Sequence, residues 1–284
     1  MDVLRVESDT IGAELLPAVG ARLHRLQAFG VDLLRTPDDP RTHASDPFFW
    51  GAYVLAPWAN RLHAGPMRAA GRLVDLPANF PDGSAIHGQV YDRAWQADGT
   101  RLTVGAGGDG WPWRYEVEAD AHADGTTLRL AYRLVNTSDG PMPAGLGIHP
   151  WWRKPIEVRI PARSAYPTTT DSPAEAAPVQ GALDRRTLGP MPDGLDATWT
   201  DLDDDAVELH WPEAGITLTM RASGPTIHVV AASPADLDAV AVEMQTHAPQ
   251  GLRRLVRGEP GALGVLEPRE TLAMTVELAA RRTA

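Results

Sequence analysis

Apolar and polar residues alternate at a spacing of two through much of this chain, whereas a sustained apolar spacing of three and four residues does not occur. Successive side chains of a strand point to opposite faces of a sheet, so alternation predicts strands with one buried face. The clearest segments are 128–134, Tyr115/Val117, Val207/Leu209/Trp211, Ile216/Leu218/Met220, Ile227/Val229 and 272–278. The pattern predicts an all-β chain.

Turn-forming residues separate these segments. Glycine and proline account for 26 and 25 of the 284 residues, and the run Asn136 to Gly140 closes the clearest strand with five turn-favouring residues. Short strands at such spacing are typical of antiparallel sandwiches. Since large β-sandwiches can occupy a chain of this length, we predict one domain over residues 1–284, a large antiparallel β-sandwich.

Helical signals are weak. Short helical turns are favoured at 172–177 and 234–237, where a Ser-Pro pair suits an N-cap followed by proline. Neither segment is long enough to form a layer of the fold. The segment 168–196 is poor in aliphatic residues and rich in Pro, Gly, Thr and Asp, so we expect a long excursion over the surface.

The charge balance restricts the class of partner. A net charge of -11 disfavours nucleic acid and anionic membranes, and a neutral small-molecule substrate fits better. No apolar stretch approaches a membrane-spanning length, and the acidic first ten residues lack the basic and apolar regions of a signal peptide, which indicates a cytoplasmic protein. The absence of cysteine excludes disulfides, zinc ribbons and thiol nucleophiles.

Three strings combine rare polar residues with glycine, proline and tryptophan, as expected of loops that project from a rigid sheet toward a carbohydrate. They are 57–62 with the later Ile86-His87-Gly88, 145–152, and 240–246. In the third string, Glu243 shares a strand face with the small residue Ala241. A carboxylate on a rigid strand suits a general base, because partial burial raises its pKa from about 4.3 toward neutrality; an exposed strand glutamate is the alternative.

Histidines mark the other two strings. His149 precedes a proline, which favours an extended strand end, and its imidazole, with a reference pKa of about 6.5, suits a proton donor at cellular pH. His87 is followed by Gly88, which leaves one side of the backbone uncrowded. Either histidine, taken alone, is more often structural than catalytic.

Further side chains in these strings suit a sugar. Arg61 carries a planar donor fork that pairs with hydroxyls or a carboxylate, and Asn60 can brace the same loop; a surface salt bridge is the alternative for the arginine. Tryptophan can provide an apolar platform for a sugar face, although in a large sandwich it is more often core. The candidates are Trp58, Trp95, Trp151 and Trp152, of which at most one or two are assigned to the ligand.

Taken in this order, the strings resemble the aldose 1-epimerase (galactose mutarotase) family over nearly the whole chain. The matching motifs are Asn60-Arg61 through Ile86-His87-Gly88, then Gly145 to Trp152, Leu195-Asp196-Ala197-Thr198-Trp199, and Val242-Glu243-Met244-Gln245-Thr246. The chain departs from the family pattern at Met244, where many members have proline, at Trp151-Trp152, where a Tyr-Phe pair is commoner, and at His247. These departures leave the preferred sugar open.

The resemblance implies a galactose mutarotase-like supersandwich that interconverts the α and β anomers of a free aldose such as galactose or glucose, without a cofactor or metal, as a monomer or homodimer. By matched position, Glu243 is the base that takes the proton from the anomeric hydroxyl, and His149 is the acid that protonates the ring oxygen. His87 is expected to hydrogen-bond near these atoms. Arg61 and Asp196 are expected to hold other hydroxyls.

Three alternatives stay open from the sequence. Some relatives act on hexose 6-phosphates, and Arg93 or Arg153 could form a local anion site, although the net charge argues mildly against it. A protein of this fold that binds sugar without turnover is the second alternative. The third is a two-histidine, one-carboxylate metal site in a β-rich oxygenase, against which stands the lack of closely spaced ligands on one strand.

Overall fold

The computed structural model describes residues 1–203 and 206–283. Within them, twenty-six strands are found. The first thirteen are β1 Leu4–Glu7, β2 Ile11–Leu16, β3 Arg22–Ala28, β4 Val31–Asp32, β5 Ala52–Leu55, β6 Arg61–Leu62, β7 Gly65–Ala69, β8 Arg72–Leu76, β9 Ala85–Ile86, β10 Gln96–Asp98, β11 Arg101–Gly108, β12 Trp111–Asp124 and β13 Thr127–Asn136. The others are β14 Met142–Ala144, β15 Gly147–Arg153, β16 Glu157–Arg159, β17 Ala162–Tyr166, β18 Ala177–Pro178, β19 Gly189–Pro190, β20 Leu195–Leu202, β21 Ala206–Trp211, β22 Ile216–Ser223, β23 His228–Ser233, β24 Ala239–Gln245, β25 Gly264–Leu266 and β26 Thr271–Arg282.

Two large antiparallel sheets dominate the described part of the chain. One has eleven strands in the order β1-β2-β3-β5-β15-β24-β23-β20-β17-β18, with β4 beside β3. The other has nine strands in the order β10-β11-β12-β13-β26-β22-β21-β16-β19. Three two-stranded sheets, β14 with β25, β6 with β9 and β7 with β8, complete the fold. The prediction of an all-β fold, a large antiparallel β-sandwich, is confirmed.

Strand β13 shows how alternation builds the core. Leu128, Leu130 and Leu134 are buried, whereas Arg129 and Arg133 between them are exposed. The buried leucines join one apolar cluster that contains residues of both large sheets. Burial of one such side chain contributes about 1.5–3 kcal/mol to the free energy of unfolding. The space between the sheets is therefore filled by one face of each central strand.

Helical residues are few and lie elsewhere than the sequence suggests. Among the described residues, the α-helices are α1 Thr42–Ser45 and α2 Gly251–Arg257, and 3₁₀ turns occur at Gly181–Leu183 and Pro212–Ala214. The expected helical turn at 172–177 is wrong, because this segment is tied down by side chains from α2 rather than by its own backbone. Residues 234–237 form a hydrogen-bonded turn. No helix in the described ranges is both long and apolar enough to cross a membrane.

The excursion at 168–196 runs mostly over the surface, as expected. Two short strands within it extend the large sheets at their edges, β18 beside β17 and β19 beside β16. Two of its polar residues, Thr169 and Ser172, are nevertheless buried. The excursion therefore also packs inward.

The eleven-stranded sheet has a second, polar face. In β15 and β24, Ile148 and Val242 point into the core between the sheets, so alternation places His149 and Glu243 on the opposite face. Tyr53 of β5 lies directly opposite His149 in the ladder. One row across the middle of the sheet therefore carries a phenol, an imidazole and a carboxyl.

Candidate active site

A cleft lies over this polar face and encloses about 670 Å³, including the part open to solvent. All seven site residues expected from the sequence line this cleft, namely Asn60, Arg61, His87, His149, Trp151, Asp196 and Glu243. The fold thus brings together side chains that are up to 183 positions apart in the sequence, 243 minus 60.

A buried polar contact between two residues that line the cleft joins His149 and Glu243. Nε2 of His149 lies 3.2 Å from Oε1 of Glu243, and both side chains are almost completely buried. The ring of Tyr53 stacks on the imidazole with 4.7 Å between centroids and an interplanar angle of 19°. Because adjacent strands of one sheet hold the two groups, their geometry is rigid.

Burial controls the charge of this pair. Burial, and secondarily the Asp196 carboxylate, raise the pKa of Glu243 well above its usual value, while Arg61 acts in the opposite direction. Burial also lowers the pKa of His149 to about 3. The direction for Glu243 is the one expected of a buried carboxyl, whereas burial disfavours the protonated form that His149 needs as a proton donor. Burial therefore favours the neutral form of both groups, a carboxylic acid in contact with an imidazole.

His87 reaches the same pair from a loop with unusual backbone geometry. His87 and Gly88 both have positive φ, 65° and 78°, and a Cβ atom on Gly88 would lie 2.0 Å from the carbonyl oxygen of Ala56. The glycine is therefore required by a close backbone approach. The two imidazole rings meet edge to face, 4.9 Å apart at 90°. Burial, followed by the proximity of His149, lowers the pKa of His87 well below its usual value.

Arg61 also lines the cleft and lies within a network of acceptors. Its Nε donates to Oδ2 of Asp82 at 2.7 Å, and its Nη1 lies 3.4 Å from Oδ2 of Asp196. The hydroxyl of Thr169 lies 2.7 Å from both Nη1 of Arg61 and the same Asp196 oxygen. Asn60 braces the loop, because its side-chain oxygen accepts from the backbone N–H of Arg61 at 2.7 Å.

Three of the four phenylalanines of the chain, Phe48, Phe49 and Phe80, also line the cleft. Phe48 and Phe80 meet edge to face with centroids 5.5 Å apart, although they come from different loops. Sequence reasoning missed all three. The only sequence signal is the Phe48-Phe49-Trp50 run, which interrupts a segment otherwise rich in turn residues.

The tryptophans divide between cleft and core. Trp151 lies 5.0 Å from the His149 ring, and its indole N–H donates to the carbonyl of Phe48 at 2.6 Å. Trp58, Trp95 and Trp152 belong to the core cluster instead. Trp151 therefore supports the aromatic loop as well as lining the cleft.

A buried arginine holds the same aromatic loop. The guanidinium of Arg22 donates to the carbonyls of Pro47 and Trp50, at 2.6 and 2.8 Å, and lies 4.4 Å over the ring of Tyr53. Burial lowers the pKa of Arg22 to about 10, so this side chain stays charged at neutral pH. Sequence reasoning did not single out Arg22, because nothing local distinguishes it from a surface arginine.

His247, a departure from the family pattern, is structural. Its Nδ1 donates to the carbonyl of Ala248 at 2.8 Å, and its Nε2 accepts from the N–H of Ala59 at 2.9 Å. A Cβ atom on Gly145 or Gly251 would lie 2.3 or 2.6 Å from its ring atoms. Gly145 in the Gly-x-Gly-x-His motif therefore makes room for a side chain, not for a backbone approach.

The free energy of unfolding is expected to fall at acid pH because histidines are buried in the fold. Burial lowers the pKa of His228 to about 3, and neither of its ring nitrogens has a hydrogen-bond partner among the described residues. Since the unfolded chain binds a proton near pH 6.5 and the native chain does not, this group stabilises the fold above pH 6.5, and the contribution falls as the pH drops toward 3. Wild type should therefore lose about 2 kcal/mol of its free energy of unfolding through this group when the pH falls from 7.5 to 5, and His228→Leu should not show this loss.

Urea unfolding at the two pH values measures this loss. Leucine has a similar volume and needs no hydrogen bond, so the native packing should persist. His122→Leu, at an exposed position of β12, is the control and should leave the difference between the two pH values as in wild type. A parallel pH dependence in His228→Leu and wild type would contradict the role of this histidine.

Within residues 1–203 and 206–283, no group of three or more His, Asp or Glu side chains is arranged to hold a metal ion. His87, His149 and Glu243 do lie together, but they do not form such a group. This arrangement gives no support to the oxygenase alternative.

Comparison with known proteins shows the same architecture. The aldose 1-epimerase family matches residues 5–278. A galactose mutarotase-like protein from Clostridium acetobutylicum is 17% identical, with 98% of this chain and 95% of that chain covered and a TM-score of 0.85. A galactose 1-epimerase from Lactobacillus acidophilus is 18% identical, with 98% and 93% covered and a TM-score of 0.78.

A third similar structure, an aldose epimerase homologue from C. elegans, is 17% identical, with 100% of this chain and 99% of that chain covered and a TM-score of 0.83. No curated protein matches the sequence. At these identities the solved structures show the fold, and the family match extends over nearly the whole chain. The chain therefore belongs to the aldose 1-epimerase family.

Proposed function

We propose that this protein is an aldose 1-epimerase that interconverts the α and β anomers of a free, unphosphorylated aldose such as galactose or glucose. The observation that carries the proposal is the buried contact of 3.2 Å between His149 and Glu243. A cyclic aldose has two oxygens on its anomeric carbon, the hydroxyl and the ring oxygen. A neighbouring acid and base, held rigidly at the base of one cleft, match these two oxygens.

The chemistry follows from proton transfer at two atoms. Glu243 takes the proton of the anomeric hydroxyl while His149 gives a proton to the ring oxygen, so the bond between C1 and the ring oxygen breaks and an aldehyde forms. Rotation about C1–C2 exposes the other face of the aldehyde. The same groups then act in reverse and close the ring. Each proton transfer contributes about 10²–10⁴-fold in rate.

The neutral pair supplies the required protons. Before ring opening, a proton passes from the Glu243 carboxyl to the His149 imidazole across their contact, which leaves a carboxylate base beside an imidazolium acid. The positive guanidinium of Arg61 lowers the pKa of Glu243 and so favours this charged form. At the end of each cycle the proton has returned, so no net proton is consumed.

The other cleft residues suit recognition of a sugar. In this proposal His87 donates a hydrogen bond near the ring oxygen. Arg61 and Asp196 bind the remaining hydroxyls, and Asn60 holds the loop that carries Arg61. Trp151, with Phe48 and Phe49 beside it, provides the apolar surface for the C–H face of the ring.

The charges of the cleft favour a neutral sugar over a hexose 6-phosphate. Arg93 and Arg153, the candidate anion site, do not line the cleft, since Arg93 pairs with Asp109 and Arg153 donates to the carbonyl of Leu34. Arg61 is the cationic side chain among the lining residues, and it already pairs with Asp82 and Asp196. A phosphate would meet these carboxylates and be repelled.

The test is the rate at which freshly dissolved α-galactose and α-glucose reach anomeric equilibrium, followed by polarimetry or NMR. We expect the protein to accelerate the approach for at least one neutral aldose and to act more slowly on the matching 6-phosphate. The proposal is wrong if a panel of aldoses shows no acceleration. Saturable binding without acceleration would instead indicate a sugar-binding protein of the same fold.

A further inference from the structure

Thr169 lies between two charged side chains that line the cleft, Arg61 and Asp196. It is fully buried, and its Oγ1 lies 2.7 Å from Nη1 of Arg61 and 2.7 Å from Oδ2 of Asp196. A hydroxyl has one proton to donate and lone pairs to accept, so it donates to the carboxylate and accepts from the guanidinium. Both hydrogen bonds involve a charged group and are therefore strong.

The hydroxyl sets the spacing of the ion pair. Arg61 and Asp196 approach each other only to 3.4 Å, whereas each reaches the threonine at 2.7 Å. The Nε of Arg61 is held separately by Asp82 at 2.7 Å, which fixes the plane of the guanidinium. Asp196 keeps 35% of its side chain accessible, so it remains available to a ligand.

The backbone around Thr169 is tied to helix α2. We call residues 168–174 the strap. Arg254 of α2 is fully buried and donates to the side chain of Ser172 at 2.9 Å and to the carbonyls of Pro173 and Ala174 at 2.7 Å each. These three hydrogen bonds from one side chain of α2 thus determine where the strap runs, and the strap determines where the Thr169 hydroxyl lies.

The same helix also fixes the position of Arg61. The backbone N–H of Gln250, the residue before α2, donates to the carbonyl of Arg61 at 2.9 Å. The side chain of Gln250 reaches the carbonyl of Thr170 in the strap at 3.4 Å. One helix therefore holds both the strand that carries the arginine and the strap that carries the threonine.

We propose that Thr169 is a positioning residue for sugar recognition, which orients Arg61 and Asp196 so that they bind the hydroxyls away from the anomeric carbon. This inference rests on the proposed function. Among the described residues, no hydrogen bond joins Thr169 to His149 or Glu243, so we expect its larger effect on binding rather than on ring opening. The hydroxyl of Thr169, and not the volume of its side chain, is expected to determine sugar binding.

The test compares Thr169→Val with Thr169→Ser in anomerisation kinetics on the preferred aldose. Valine keeps the volume and removes the hydroxyl, so we expect KM to rise about tenfold or more while kcat changes less than about threefold. Serine keeps the hydroxyl and should restore KM to within about threefold of wild type. Thr170→Val, at the exposed neighbouring position, is the matched control and should behave as wild type.

Several results would overturn the inference. An unchanged KM in Thr169→Val, or an equal rise in Thr169→Ser and Thr170→Val, would show that the hydroxyl does not position the ligand groups. A purely structural role would lower the melting temperature of Thr169→Val and leave KM as it is.

Failure of the proposed function is recognised separately. If wild type accelerates no aldose, the proposed function fails, and NMR titration with galactose and glucose then compares the affinity of wild type and Thr169→Val. About tenfold weaker binding in the variant supports the inference. Equal binding, or no binding by wild type, overturns it.

Discussion

Glu243→Gln is expected to lose about a thousandfold or more in kcat while it remains folded. Glutamine matches glutamate in shape but cannot accept the proton of the anomeric hydroxyl. Because burial already disfavours the charged form of this carboxyl, a neutral amide at the same place should leave the melting temperature equal to or above that of wild type. Polarimetry measures the first effect, and thermal unfolding followed by circular dichroism measures the second.

A matched control separates loss of the proposed base from the general effect of replacing a strand glutamate with glutamine. Glu208 also lies on a strand, β21, but in the other sheet, where it pairs with Arg159. Glu208→Gln removes the same carboxylate chemistry without touching the cleft and should keep wild-type turnover. Turnover near that of wild type in Glu243→Gln would refute the assignment of Glu243 as the base.

His149→Asn is expected to lose about 10²–10⁴-fold in kcat, because asparagine donates a hydrogen bond but cannot release and regain a proton. Loss of the Tyr53 stack should also reduce the free energy of unfolding, so folding must be checked by circular dichroism. His122→Asn, at an exposed position, controls for loss of a histidine.

The two variants should not combine additively. If His149 and Glu243 act as one proton-exchanging unit, the kcat of the variant with both substitutions should be little lower than that of the slower single variant. A double variant in which the two losses multiply would indicate that the groups act independently, and wild-type turnover in His149→Asn would refute its role as the acid.

Local pattern predicted the fold because alternation is itself a local property. In β13 buried and more exposed residues alternate, and in β24 alternate residues pack in the main core and on the side of the cleft, as the alternation indicates. Helix α2 was not predicted, since its stability comes from Arg254 and the strap rather than from an apolar stripe of its own. Tertiary contacts therefore decided what local propensity left open.

The site was predicted only where motifs carried it. The seven residues recognised from motifs line the cleft, whereas Thr169, Asp82 and Phe80 were missed. Each of these three lies in a segment of ordinary turn composition and gains its place through a partner far away in sequence. The proton state of His149 was also beyond the sequence, because it depends on how completely the cleft excludes water from the ring.

Alternate residues of β24, the strand that carries Glu243, are constrained by different surroundings. Its even-numbered residues, Val240, Val242 and Met244, must fit the packing between the sheets, whereas Ala241 packs in the smaller apolar cluster of Tyr53 and Trp151, two residues that line the cleft. Substitutions at one set of positions therefore affect mainly the packing of the fold. Substitutions at the other set affect mainly the shape of the cleft. The first set can therefore preserve the scaffold while the residues around the cleft vary, which suits a fold shared with proteins only 17–18% identical to this chain.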